Sequence, residues 1–138
     1  MGKRIREVMT SHPRTIAPST NLQDAARLLR DLDVGSLPIV DNEECVGMLT
    51  DRDIVVRAIA EGRSPSSVSA GEIASKEPVM VDEDEPLDEA ERLMAEYQIR
   101  RIPVRDRDGH LVGMLSQADV ALVHGAKQAG KLVEQVSR

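Results

Sequence analysis

The chain has 138 residues, with 18 Lys and Arg against 24 Asp and Glu and a formal net charge of −6. That length fits one domain, or two small ones sharing a core, and a 41% hydrophobic, 30% charged composition describes a globule rather than a disordered chain. The acidic balance argues against a nucleic-acid backbone as partner. With no Phe, no Trp and one Tyr, Tyr97, the chain lacks the rings on which single-stranded bases stack.

The basic start, Lys3, Arg4 and Arg6, is not followed by the apolar run of a signal peptide. No stretch approaches the ~18 apolar residues of a membrane span. One cysteine, Cys45, cannot close a disulfide within the chain, which suits a reducing compartment. A cytoplasmic location is expected.

In chain order, a short extended piece, Pro13 to Ala17, precedes a helix. Thr20 and Gln23 have capping-box spacing, and Leu22, Ala25, Ala26, Leu28, Leu29 and Leu32 recur with helical period. Two strands come next, Leu37 to Val40 and Val46 to Leu49, joined by the polar turn Asp41 to Glu44. A helix from Arg52 to Ala60 closes the series, and Glu61 to Ala70 reads as a Gly/Ser/Pro linker.

The series then starts again. Pro78 stands 65 residues after Pro13, and at that offset Leu87 matches Leu22, Ala90 Ala25, Arg92 Arg27 and Pro103 Pro38. One inserted residue brings Val112 to Leu115 onto Val46 to Leu49, Ser116 onto Thr50 and Asp119 onto Asp53. The second copy predicts an extended piece at Pro78 to Val81 and a helix opened by Pro86, with Leu87, Ala90, Leu93, Met94 and Tyr97 as its apolar stripe. Strands Ile102 to Arg105 and Leu111 to Leu115 meet at a turn containing Asp108-Gly109, and a helix runs from Ala118 to about Val123. A helical tail is expected from Ala126 to Val136. The predicted boundaries are 1–62 for the first repeat, 63–71 for the linker, 72–125 for the second repeat and 126–138 for the tail. One copy of roughly 55 residues is marginal alone, so the pair is the expected folding unit.

The motifs Gly47-Met48-Leu49-Thr50-Asp51-Arg52-Asp53 and Gly113-Met114-Leu115-Ser116-Gln117-Ala118-Asp119 end each copy at a strand-to-helix junction. With the strands Leu37-Pro38-Ile39-Val40 and Ile102-Pro103-Val104, the pattern resembles the CBS domain, and the tandem resembles the CBS pair, or Bateman module, over about residues 4 to 124. The resemblance implies an α+β fold of two β-α-β-β-α repeats packed about a pseudo-two-fold axis and dimerising into a disk. It also implies a non-catalytic regulatory or sensor module. Such a module holds an adenosine-containing ligand (AMP, ADP, ATP, NAD or S-adenosylmethionine) in clefts between the copies, and no cofactor is required. The implied partners are a second copy, the nucleotide and an unknown downstream protein. The alternative is a ligand-free, stress-related structural or interaction protein acting through dimer contacts.

At Thr50 and Asp53 two readings compete. The hydroxyl can face a phosphate or sugar while the carboxylate accepts from a ribose diol. Equally, the pair can be a capping box that starts a helix. Spacing alone favours the cap, whereas the duplicated motif within a CBS-like pattern favours the ligand. Ser116 and Asp119 carry the same two readings. Gly47 and Gly113 imply close approach, by a ligand or by the partner copy.

The resemblance groups Thr50 and Asp53 with Pro78, Val79, Met80, Ile99, Arg100 and Arg101 in one cleft. It groups Ser116 and Asp119 with Pro13, Arg14, Thr15, Val34, Gly35 and Ser36 in the other. Guanidinium forks suit phosphate, so the first cleft is expected to prefer phosphorylated ligands; the competing reading is that Arg100 and Arg101 are solvated turn residues paired with nearby acids. Without an aromatic wall, adenine would lie among Val79, Met80 and Ile99. His12, His110 and His124 lack metal-ligand spacing, so no metal site is expected, and Asp51-Arg52-Asp53 and Asp82 to Glu85 read as solvated helix starts. Cys45, beside a turn, is expected as an exposed free thiol, with redox sensing or a cross-dimer bond as alternatives. No catalytic constellation is visible.

Overall fold

The computed structural model describes residues 2–125. The predicted tail, Ala126 to Val136, lies outside them. The chain divides into two packed units. One is Pro13–Val79 with Asp108–Leu111. The other is Met80–Arg107, joined by residues 2–12 and 112–125. Packed units and sequence repeats are therefore not the same stretches. Residues 2–12 pack with the second repeat, and the 63–71 linker packs with the first.

In the first unit, α1 (Leu22–Leu32) packs against a three-stranded sheet in the order β2 (Ser36–Asp41), β3 (Glu44–Thr50), β4 (Ser75–Lys76). The helix begins one residue later than the capping-box spacing suggests. Asn21 is the cap, accepting from the Asp24 amide at 2.8 Å, while Thr20 Oγ1 accepts from the Ala17 amide at 3.1 Å. An Asn side chain directly before the apolar stripe reaches the third helical amide without distortion, so it wins over Thr20. The core is Leu22, Ala25 and Leu29 from α1, Leu37, Ile39 and Leu49 from the strands, and Ile54, Ala58, Val68, Ala70, Ile73 and Ala74 from the chain between β3 and β4.

The two-residue turn Asn42-Glu43 has φ of 52° and 67°, the twist that joins adjacent strands tightly. Pro13 to Ala17 does not form a full strand. It adds one parallel bridge, Ile16 to Ile39, with Ile16 donating to the Pro38 carbonyl at 3.1 Å and Val40 donating back at 2.8 Å. Pro38 therefore loses no ladder bond by lacking an N–H on this edge.

The helix after β3 starts as α2 (Asp51–Ile54) and widens to a π-helical stretch, Val55–Ile59. Sequence periodicity does not distinguish that widening from an ordinary turn. The linker is also more ordered than its composition suggests. Val68 and Ala70 are buried, Ser69 bridges to Asn21, and Ser69 and Glu72 cap the short helix α3 (Ala70–Ile73). The Ser69 amide and hydroxyl lower the Glu72 carboxyl from its ordinary value.

In the second unit, a four-stranded sheet runs β1 (Thr10–Ser11), β7 (Leu111–Ser116), β6 (Arg101–Arg105), β5 (Val81–Asp82), with β5 parallel to β6. Pro86 caps α4 (Leu87–Tyr97) rather than opening it, and residues 117–125 form α5. Ile5, Val81, Leu87, Ala90, Met94, Ile102, Val104, Met114, Leu115 and Val120 are buried here. Among the described residues no helix is long and apolar enough to cross a membrane.

The duplication reaches the backbone. Asp33 and Gln98 end α1 and α4 in the left-handed region at φ 54° and 53°, and His12 and Glu77 share φ near 53°. β1 lies on β7 as β4 lies on β3, with Ser11 opposite Gly113 and Lys76 opposite Gly47. The group that approaches each motif glycine is therefore the chain's own neighbouring strand. A Cβ at Gly47 would stand 2.8 Å from the Ser75 carbonyl oxygen, and one at Gly113 would run into the Met9 sulfur. Backbone oxygen in a ladder cannot step aside. Gly47→Ala is expected to destabilise the chain by about 1–3 kcal/mol in urea unfolding, and unchanged stability would contradict this packing.

Candidate functional site

Each closing motif folds into a reciprocal cap. Thr50 ends β3, its Oγ1 accepts from the Asp53 amide at 3.0 Å, and Asp53 Oδ2 accepts from the Thr50 amide at 3.0 Å. Ser116 and Asp119 repeat both bonds at 3.0 Å. The structure thus shows the capping geometry at both junctions, with all four residues half-buried. The second carboxylate oxygen of Asp53 faces Arg57 Nε at 3.9 Å. A carboxylate has about four acceptor positions, so a cap leaves capacity for a diol.

Each junction also holds the turn that precedes its own repeat's first long strand. The Asp51 amide donates to the Gly35 carbonyl at 2.9 Å, and Ser36 lies opposite Thr50 in the ladder. In the second unit the Gln117 amide donates to the Arg100 carbonyl at 2.8 Å. Arg101 is half-buried. Loss of water lowers its guanidinium from the ordinary value, and Asp119 acts in the opposite sense.

Within the units, then, Thr50 and Asp53 stand with Gly35 and Ser36, and Ser116 and Asp119 stand with Arg100 and Arg101. Pro13, Arg14, Thr15, Val34, Pro78 and Val79 belong to the first unit, and Met80 and Ile99 to the second. The strand register that brings each turn to its own junction was implicit in the predicted hairpins, since the start of one hairpin strand must meet the end of the other.

A cleft of about 520 Å³ opens in the first unit away from Thr50 and Asp53, lined by Pro18, Ile39, Cys45, Gly47, Ala74 and Ser75 among others. Ala74 and Met9 are equivalent in the repeat; Met9 lies over Gly113, and Ala74 lines the cleft beside Gly47. Cys45 lines this cleft but is buried, not exposed as its place beside a turn suggests. Strand alternation turns it inward with Gly47 and Leu49. Its thiol donates to the Gly47 carbonyl, and burial pushes it above the ordinary thiol range.

The turn between β6 and β7 gathers Asp106, Asp108 and His110, whose ligand atoms all lie within 4.8 Å of one another. His110 Nε2 is also 3.5 Å from Glu43 Oε2. The histidine spacing did not reveal this group, because its other members are carboxylates brought in by the turn.

Two strand-to-helix junctions of identical bonding, in two copies of one strand–helix–hairpin–helix series, define a class. Residues 5–59 and 70–123 both match the CBS domain, and the chain belongs to that family. It is a tandem CBS pair, non-catalytic, and close to hypoxic response protein 1 of Mycobacterium tuberculosis, with which it is 38% identical over 84% of this chain and 81% of that protein. The crystal structure of that relative, which has two coordinated zinc ions, superposes with a TM-score of 0.80 at 37% identity, covering 86% of this chain and 97% of the other. The CBS pair of protein MJ0100 in complex with 5′-methylthioadenosine and S-adenosyl-L-methionine gives 0.81 at 27% identity, over 92% and 99%. CBSX2 of Arabidopsis thaliana in complex with AMP gives 0.78 at 29% identity, over 94% and 99%.

Because the thiolate is the reactive form and burial disfavours it, Cys45 should react with a charged thiol reagent at neutral pH far more slowly in the folded chain than in urea. The rate should rise as pH passes above the usual thiol range. Equal rates in both states would show the thiol to be open.

Proposed function

We propose that this CBS pair is a regulatory module that binds an adenosine-containing ligand at its strand-to-helix junctions. The observation that carries the reading is the duplicated hydroxyl–carboxylate junction, Thr50 with Asp53 and Ser116 with Asp119, at matching hydrogen-bond geometry. Asp53 and Asp119 would accept from ribose hydroxyls, and Thr50 and Ser116 would contact ribose or phosphate. Aliphatic residues Val79, Met80 and Ile99 would hold the purine, in the cleft arrangement that the family resemblance implies. Relatives of the same fold crystallised with AMP, or with 5′-methylthioadenosine and S-adenosyl-L-methionine, support this ligand class. The ligand acts by differential affinity: it favours whichever arrangement of the module it fits better, and a downstream partner reads the change. A cytoplasmic location, where such ligands are abundant, is part of the proposal.

Calorimetry with AMP, ADP, ATP, NAD, S-adenosylmethionine and methylthioadenosine tests it. At least one should bind, and Asp53→Ala or Asp119→Ala should weaken it about tenfold, the scale of charge-assisted hydrogen bonds. Silence across the set at millimolar concentration would sink the reading.

One observation also supports self-association. The π-helical stretch exposes Val55, Val56 and Ile59 at 58%, 45% and 52%, an apolar group on one short segment that suits burial against a second copy. The paired change Val55→Glu and Ile59→Glu should shift the sedimentation coefficient from dimer to monomer without unfolding the chain. A wild-type chain already monomeric at high micromolar concentration would exclude a homodimer.

A further inference from the structure

We propose that the turn between β6 and β7 binds one first-row divalent cation of the zinc and manganese kind, held by Asp106, Asp108, His110 and Glu43. None of these residues takes part in the strand-to-helix junctions. β6 ends at Arg105 and β7 begins at Leu111, so Asp106 to His110 must reverse the chain. Gly109 does so at φ 85°, a conformation that side chains resist. The ligand atoms of Asp106, Asp108 and His110 all come within 4.8 Å of one another. Among the described residues no other three such groups gather so closely. Donors about 2.1 Å from one ion stand no more than ~4.2 Å apart, so a contraction of roughly half an ångström closes the set.

A second turn contributes to it. The Leu111 amide donates to the Glu43 carbonyl at 2.9 Å, and Glu43 and Asp108–Leu111 belong to the same packed unit. Glu43 Oε2 stands 3.5 Å from His110 Nε2, and a Cβ on Gly109 would stand 4.0 Å from Glu44 Oε1. Three carboxylates thus gather about one imidazole, with a fourth beside Gly109. Arg107, the cation within the turn, lies with Nε 3.7 Å from Asp84 Oδ2, so its charge is directed at another acid. Like charges gathered this closely repel, and a divalent ion among them replaces repulsion by attraction. The donor set selects the ion. Carboxylates alone suit Mg2+ or Ca2+, whereas imidazole nitrogen suits the later first-row divalents. Zn2+ should therefore bind more tightly than Mn2+, and both more tightly than Mg2+. The equivalent turn of the first repeat, Asp41 to Glu44, carries no histidine, so the site occurs once per chain. An ion shared by Glu43 and His110 would reinforce the backbone bond from Leu111 to Glu43.

Titration of the metal-free full chain with Mn2+, followed by electron paramagnetic resonance, tests this, with Zn2+ and Mg2+ as competitors. One Mn2+ per chain is expected to bind and to be displaced by an equal concentration of Zn2+ but not of Mg2+. His110→Ala and Asp108→Asn should each weaken Mn2+ by at least about tenfold, the scale on which even groups behind the ligands act. His124→Ala, outside the turn, should leave the affinity unchanged. The proposal is overturned if neither Mn2+ nor Zn2+ binds at millimolar concentration. It is overturned equally if binding survives both turn variants, or if Mg2+ competes as well as Zn2+. If a variant fails to fold, the unaltered chain still decides: bound Mn2+ should broaden the amide resonances of residues 106–111 and 42–44 first, and broadening centred elsewhere overturns the assignment.

Discussion

The reciprocal cap between a strand-end hydroxyl and a carboxylate three residues on is the constraint around which both units are built. It satisfies the amide of the residue that leaves the sheet and an amide of the helix beyond it, and so fixes the angle at which chain departs from β3 and from β7. With that angle set, the next backbone amide, of Asp51 or Gln117, reaches the carbonyl of Gly35 or Arg100. That bond in turn seats the helix-to-strand turn beside the junction. The capping hydroxyl and carboxylate keep lone pairs that the cap does not use, which is why spacing alone could not separate the two readings.

Much of the fold was legible because it is written twice. Periodicity in Leu22 to Leu32 and Leu87 to Tyr97, the Asp108-Gly109 turn and the paired Pro38 and Pro103 strands are local signals, and the local structure obeys them. Other features escaped. The bridge of Ile16 and the pairing of β1 with β7 join residues far apart in sequence, and two-residue strands carry no alternation to read. The linker looked loose by composition, yet Val68 and Ala70 are apolar residues placed to meet a core. The widening at Val55–Ile59 reflects hydrogen-bond geometry, not residue type. Finally, Cys45 obeys strand alternation rather than proximity to the turn.

The candidate junction residues were legible as motifs, and their grouping across copies came from family resemblance. Hydrogen bonds within each unit add a link that spacing did not show, from Gln117 to Arg100 and from Asp51 to Gly35. The copies have kept the atoms that make the cap and diverged in what surrounds it: arginine against glycine and serine, glutamine against aspartate, Met9 against Ala74. Duplication with selective change of the rim is how one architecture can set the same cap in two unlike surroundings without altering the scaffold.

The pairing of Thr10 with Met114 has a consequence for synthesis. Pro13–Val79 emerges from the ribosome as an unbroken stretch holding every strand of its own sheet, whereas the companion sheet begins before that stretch and ends after it. Thr10 and Ser11 must therefore wait, unmatched, until Leu111–Ser116 has been made. A cut that removes them would injure the sheet that holds β7, not the sheet they directly precede.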